Sequence, residues 1–522
     1  MSAPAQTQAL RRALGKWDLT AIGVNQVIGS AIFLIQADVA RIVGSWGPVM
    51  FLGIGLSSLF VALCFAEVGS RFESTGGPIG PARVAFGRFV GFEVGWMLWF
   101  SRVSSGASVI NGMALALGYY WPVLSTGPPR TLVILAVLGA LTWINVRGIR
   151  QTSWLVNTFT IGKLLPLVVF VLVGAFYFDP GRIVPSDTVS IENLGAAALL
   201  LIFAYGGYEV TGVPAGEASN PKKDVPFAFI ATILIASGVM TLTAAVAAGL
   251  LPDLTATRTP IADASALVMG AFGGLLVSVG SVVSMTGNNM GQLLSGSRTV
   301  FALAEGGDLP PVFARVHPVY RTPHVAIWFT SIVLVVLALT GSVRVHGGGE
   351  RGGAAGGVLS ACGATLRLRR ADMAGRVAPA EFTAPLGPVI PAVAIAITLS
   401  ILAGATVNQL LSGVAALAAG GRCSPSRPGA RGRRPERYRR FVTAAVSASS
   451  SSSSRASSRP FGELPHDSSR VVILVTTQFT SHRPPPDSRT AATDRACSST
   501  SQSSNSVASA SRPAAPMFQS SS

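Results

Sequence analysis

The chain has 522 residues, of which 49% are hydrophobic and only 12% charged, and its mean hydropathy of +0.51 excludes an ordinary soluble globular protein. Its net charge of +17 does not make it a nucleic-acid binder, because the segment from Arg422 onward holds 15 arginines against five acidic residues and so supplies +10. What remains is a modestly basic, apolar chain to be read against lipid.

A bilayer core about 30 Å thick takes roughly 20 apolar residues per helical crossing. Residues 1–16 read as a cytoplasmic N-terminus. No basic leader with a small-residue cleavage site precedes the first apolar run, which is therefore kept as a membrane helix. Apolar runs follow at 19–40, 49–68, 89–120, 131–146, 155–178, 194–214, 228–251, 271–294 and 325–340, a nine-helix core within residues 17–342. A tenth helix is due next, but residues 343–357 read VRVHGGGERGGAAGG, too rich in glycine and charge to span lipid. The apolar remainder at 358–366 is under half a crossing, yet the expected cationic flank resumes at Arg367, Arg369 and Arg370. Residues 343–370 are therefore read as a disrupted tenth helix, with a reading-frame error as the expected cause. Runs at 389–405 and 407–419 supply helices eleven and twelve within residues 371–420. From 421 to 522 the chain is a basic Ser, Arg and Pro rich tail, too poor in apolar residues to build a core and expected to be disordered. Within it, 431–440 resembles a polybasic segment able to touch anionic lipid at about 1 kcal/mol per cation. The run at 471–475 is too short to span.

Cations set the orientation. Arg11, Arg12 and Lys16, then Arg71, Arg83 and Arg88, then Arg147 and Arg150, then Lys222 and Lys223, then Arg298, Arg315 and Arg321 are assigned to alternate loops on one side. The intervening loops hold fewer, Arg130 and Arg182 among them. The positive-inside rule then puts the N-terminus in the cytoplasm of a cell with the chain in its inner membrane. Cys64, Cys362, Cys423 and Cys497 form no close pair, and no His, Cys or carboxylate cluster has metal-ligand spacing. Neither a disulfide, a metal nor a cofactor is expected. The absence of a nucleophile–base set or phosphate loop argues against an enzyme.

Two spanning runs carry glycine-rich interruptions: Val27-Ile28-Gly29-Ser30-Ala31-Ile32 in the first, and Phe203-Ala204-Tyr205-Gly206-Gly207-Tyr208-Glu209 in the sixth. Unpaired backbone at membrane depth is tolerated only where it lines a cavity or protein interior. Helices one and six are corresponding members of two five-helix halves, the placement expected of an inverted-repeat transporter with a midplane site. Freed amides at a half-helix N-terminus suit a carboxylate and freed carbonyls an ammonium, a combination that fits an amino acid. Glycines that simply allow close helix packing are the alternative reading of either site.

At these residues the sequence resembles the amino acid-polyamine-organocation permease superfamily. The stretch 23–33, GVNQVIGSAIF, is similar to that family's opening glycine motif. The similarity continues through Ala66-Glu67-Val68-Gly69-Ser70-Arg71-Phe72, Asn145-Val146-Arg147-Gly148, Tyr208-Glu209, Glu217-Ala218-Ser219-Asn220-Pro221 and Gly291-Gln292-Leu293-Leu294-Ser295-Gly296-Ser297-Arg298. It covers about residues 17–340, with a weaker return after 359. The resemblance implies an all-α LeuT-type fold of two inverted five-helix repeats, with helices one and six broken and two helices added. It also implies that amides near Gly29, Ser30 and Ala31 hold the substrate carboxylate. Carbonyls near Gln26, Val27, Phe203 and Ala204, beside Gly206, would hold its ammonium, with Phe203 as an aromatic gate.

Ionisable residues at membrane depth cost about 2.5 kcal/mol or more and tend to be functional. Lys163 lies mid-way along the fifth helix, and in proton-coupled relatives a lysine at a similar place stands where others hold sodium, so Lys163 is the candidate coupling site. Snorkelling toward the membrane edge is its alternative. Glu209 matches a glutamate that in relatives assists gating and proton sensing; a hydrogen-bonded anchor is the alternative. Arg102, about 21 Å beyond Arg88 at 1.5 Å per residue, needs a buried anion, for which Glu209 is a candidate. Asn288 and Asn289 would polarise the eighth helix. The resulting expectation is a secondary transporter moving amino acids by alternating access with protons as coupling ion. An exchanger is the alternative, as is a transport-dead receptor or defective copy with a broken tenth helix. The identity of the amino acid, the stoichiometry and the oligomeric state are not readable.

Overall fold

With no water at membrane depth to pair backbone N–H and C=O groups, a chain this apolar has to satisfy them within helices. The structure is a computed structural model that describes residues 10–403 other than 30, 34, 187, 258, 341–342 and 374–376, together with 417–418 and 420–421. Its described residues form mainly helices and turns, and Leu14 and Ala218 form an isolated bridge. In chain order the helices are α1 (Lys16–Val27), α2 (Ile35–Val43), α3 (Gly47–Gly69), α4 (Ile79–Phe86), α5 (Arg88–Tyr120), α6 (Gly127–Arg147), α7 (Ile149–Gly174), α8 (Ile191–Tyr205), α9 (Pro221–Leu250), α10 (Pro260–Glu305), α11 (His324–Thr340), α12 (Val343–Leu368) and α13 (Val389–Ala403).

Among the described residues six helical segments are long and apolar enough to cross a membrane: Ile35–Gly69, Gly127–Arg147, Ile149–Gly174, Ile191–Gly212, Pro221–Leu250 and Pro260–Glu305. The chain is a multi-pass membrane protein. Leu132, Trp154, Ile161, Leu172 and Leu234 are exposed on α6, α7 and α9, an outer surface that water would disfavour and lipid accepts. Proline stands in the first turn of α3, α6, α9 and α10, where its missing N–H is one that any helix start leaves unpaired.

Three features depart from the pattern read in sequence. The short helix α4 was not anticipated. The run at 271–294 is the middle of α10, a 46-residue element in which Gly270 (φ 64, ψ −158) joins two helices across a kink. Because α10 continues to Glu305, Arg298 is not a loop cation at all but a fully buried side chain. The backbone from Val343 to Leu368 is one helix, so the interruption there is one of composition, not of helical path. That helix is not among the six apolar segments. The expected twelfth helix at 407–419 lies almost wholly outside the described residues, as do the 431–440 and 471–475 segments of the tail.

Packing brings the site together. Helix α3 lies along α9, α10 packs on both α5 and α7, and α1 packs on α7, α9 and the 208–212 turn.

Candidate functional site

The first interruption begins where α1 stops. Ile28 (φ −81, ψ 78) leaves the helix after its N–H donates to the Val24 carbonyl, Gly29 N donates to Val27 O at 2.9 Å, and a 3-10 turn at Ala31–Phe33 precedes α2. Ser30 lies outside the described residues. The carbonyls that a continuing helix would have bonded are left for other partners. Lys163 of α7, fully buried, reaches them: its Nζ donates to Asn25 O at 3.0 Å, Ile28 O at 2.8 Å and, on α10, Ser284 O at 3.3 Å. Ser284 Oγ lies 3.1 Å from both Ile28 O and Gly29 O. Side chains of α1 and α10 tie the two further. Asn25 Nδ2 donates to Gly287 O at 2.6 Å, Gln26 Nε2 to Asn288 O at 2.9 Å, and Asn288 Nδ2 to Gln26 O at 3.3 Å. Gly291 makes that approach sterically open, since a Cβ there would stand 2.0 Å from Gln26 Nε2. Gln292 carries the polar contact on to α5, donating to Ser105 Oγ at 3.0 Å.

The second interruption follows Tyr205. Gly206 is extended, Gly207 takes φ +112, and a tight 3-10 turn runs Tyr208–Gly212. The two interruptions touch: a Cβ on Gly207 would sit 3.0 Å from the Gln26 carbonyl oxygen. Glu209 is held at both oxygens, Oε1 accepting from Arg102 Nη2 at 2.9 Å and Oε2 from Gly207 N at 2.9 Å. Both side chains are 3% exposed, so the partner that Arg102 requires is Glu209. Removing one member of such a pair strands the other charge at a cost of about 3–5 kcal/mol. Gln26, Val27, Gly29 and Ala31 thus lie at one break, with Phe203, Ala204 and Gly206 at the other. The Phe203 carbonyl already accepts from Gly206 N at 3.1 Å.

Sequence reading missed three contacts. Arg298 forms a bidentate pair with Glu217, Nε to Oε2 at 2.9 Å and Nη2 to Oε1 at 3.1 Å, while its Nη1 donates to Asn145 Oδ1 at 2.6 Å. Those three residues come from three separate motifs of the sequence, and their order along the chain gave no sign that they meet. The Glu217 backbone carbonyl also accepts from Ala13 and Leu14 N–H at 2.8 and 3.0 Å, pinning the segment before α1. Glu67, unexposed on α3, pairs with Arg369, whose Nε donates at 2.8 Å. Cys64 of α3 and Cys362 of α12 are both buried and free. Spacing along the chain cannot see a contact made by two helices folding together. Among the described residues no group of His, Cys, Asp or Glu could hold a metal ion.

A profile of amino acid permeases matches residues 14–419. The chain belongs to the amino acid permease family. This permease is 27% identical over 421 residues to a branched-chain amino acid permease of Bacillus subtilis, covering 76% of this chain and 88% of that one. It is 29% identical over 348 residues to a serine/threonine exchanger of the same organism, covering 64% and 78%. A methylthioribose transporter of Bacillus subtilis is equally similar, 27% over 420 residues with 76% and 89% covered, so kinship at this level spans different cargo. These relatives are transporters, and amino acid transport rather than catalysis is this chain's family activity.

Proposed function

We propose that the chain is a secondary active transporter that moves an amino acid across the inner membrane by alternating access, N-terminus in the cytoplasm, in symport with protons. The observation that carries this reading is Lys163. Its ammonium has three N–H donors and meets three carbonyl oxygens, two on the broken end of α1 and one on α10. A neutral amine has two donors and a lone pair, so it cannot hold all three. Gain or loss of one proton therefore changes how tightly α1 is held to α7 and α10 beside the interruption. The substrate carboxylate is assigned to the amides around Gly29, Ser30 and Ala31, and its ammonium to carbonyls of Gln26, Val27, Phe203 and Ala204 beside Gly206. Glu209, fixed between Arg102 and Gly207 N, is assigned to gating. A LeuT-type inverted repeat is the architecture in which these two breaks face each other at the midplane.

Kinship to a serine/threonine exchanger favours obligatory exchange as a second reading. Uptake of labelled amino acids into liposomes holding the full chain separates the two. Accumulation driven by an inward proton gradient and lost in Lys163→Ala supports symport; gradient-independent uptake that needs internal amino acid supports exchange. A folded chain with no flux under either condition would overturn both.

A further inference from the structure

The connection from α10 to α11 holds two imidazoles that neither interruption uses, in a turn that is closed twice. Along the backbone, His317 N donates to Thr322 O at 2.8 Å and Arg321 N to His317 O at 3.0 Å, with Arg321 at φ 55, a conformation uncommon for any residue but glycine. The His317 side chain closes it again: its Nδ1 accepts from Val319 N and from Tyr320 N, both at 3.2 Å. A ring nitrogen accepts only through a lone pair, so Nδ1 is unprotonated and the ring hydrogen is on Nε2. A proton on Nδ1 would set a third N–H against the two it now accepts from. The closed turn and the imidazolium exclude each other. The ring is half-buried, within reach of solvent protons. The closed turn is also docked on the end of α6. Thr322 Oγ1, fully buried, donates to Val146 O at 2.8 Å, and the Arg147 guanidinium lies 4.6 Å from the Trp143 ring centre and 5.8 Å from that of Tyr320. Tyr320 lies against the His317 ring at 4.6 Å, and His324 of α11 meets that ring edge-on at 5.3 Å. Arg147 from α6, Arg321 within the turn and Arg315 two residues before His317 bring positive charge to this neighbourhood, which opposes a further cation.

We propose that His317 is a proton-operated latch: neutral, it holds the 317–322 turn closed on the end of α6, and on taking a proton at Nδ1 it lets the turn open. The step is a protonation alone. The Nδ1 lone pair takes a proton from solvent, the two N–H bonds it accepted are lost, and Val319 and Tyr320 N–H turn to water. The closed form holds one proton fewer than the open one, so opening is favoured as pH falls, in the range where an imidazole ordinarily titrates, about 6.5. The consequence for transport rests on the reading above; the opening of the turn does not.

The test measures amide exchange at Val319 and Tyr320 in the full chain in lipid, corrected for the intrinsic pH dependence of exchange. Protection in the native chain should be at least about fivefold lower at about pH 5.5 than at about pH 7.5. His317→Asn, whose Oδ1 accepts from the same N–H groups as in an Asx turn and does not titrate, should be equally protected at both. His317→Ala, with no acceptor, should be unprotected at both, and His324→Gln should keep the native pH dependence. Equal native protection at the two pH values, or a pH dependence that survives in His317→Asn or disappears in His324→Gln, overturns the latch. In liposomes with equal pH on both faces, native uptake relative to that of His317→Asn should fall at least about threefold over the same interval. An unchanged ratio overturns the link to transport. If neither chain takes up amino acid, the transport reading fails while amide exchange still decides the latch.

Discussion

Glu217→Gln isolates one charge inside the buried Arg298 pair. The substitution keeps the side chain's shape and one acceptor oxygen, but leaves the Arg298 guanidinium, 0% exposed, without its anion. Breaking a buried pair by removing one partner costs about 3–5 kcal/mol, whereas replacing both partners with apolar residues of similar volume is close to neutral. With an unfolding entropy of about 2.1 cal/mol/K per residue, spread over the family-matched stretch 14–419, that loss lowers the melting midpoint by about 4–6 °C. Thermal unfolding of detergent-purified chain at fixed scan rate measures it. Glu217→Gln and Arg298→Met should each melt earlier by this amount, and Glu217→Leu with Arg298→Met should recover most of the loss. Single-variant shifts below about 1 °C, or a double variant whose loss is the sum of the singles, would refute the claim that the two charges stabilise each other.

Gly207→Ala should destabilise by about 1–3 kcal/mol, because φ +112 suits glycine and the new methyl meets the Gln26 carbonyl at 3.0 Å. Gly238→Ala on α9, where a Cβ meets nothing within 4 Å, is the control and should be neutral or stabilising by up to about 1 kcal/mol; equal melting shifts for the two would count against the close approach of the two interruptions. Outside the apolar spans, Arg12 first and Lys222 second hold the Glu73 carboxylate below its ordinary value of 4.5. A carboxylate depressed in the folded state contributes stability above its unfolded value and loses it as pH falls through the folded one. The small melting difference between the native chain and Glu73→Gln should therefore be present at neutral pH, shrink in high salt, and vanish well below about pH 4. A difference that grows on acidification would reverse the assigned sign.

Composition and apolar run length alone determined that this chain crosses a membrane many times, because lipid leaves the backbone no other partners and the cost of a charge there is steep. The order of short motifs, from the 23–33 stretch to the one ending at Arg298, pointed to the permease family that the profile match establishes. Glycine placement marked where α1 and α8 stop, since those are positions where a helix loses its side-chain cover and, at Gly207, needs a positive φ. A buried cation's need for an anion even named Glu209 as the partner of Arg102. What sequence could not supply was any contact between helices distant in the chain. Arg298 reads as a loop cation until α10 is seen to run on to Glu305 and deliver it to Glu217 and Asn145. Glu67 and Arg369 read as unrelated until α12 packs on α3. Helical periodicity reports which face of one helix is apolar, but the rotation and register of one helix on another are set by side-chain packing across the whole bundle, and only the tertiary structure holds that information.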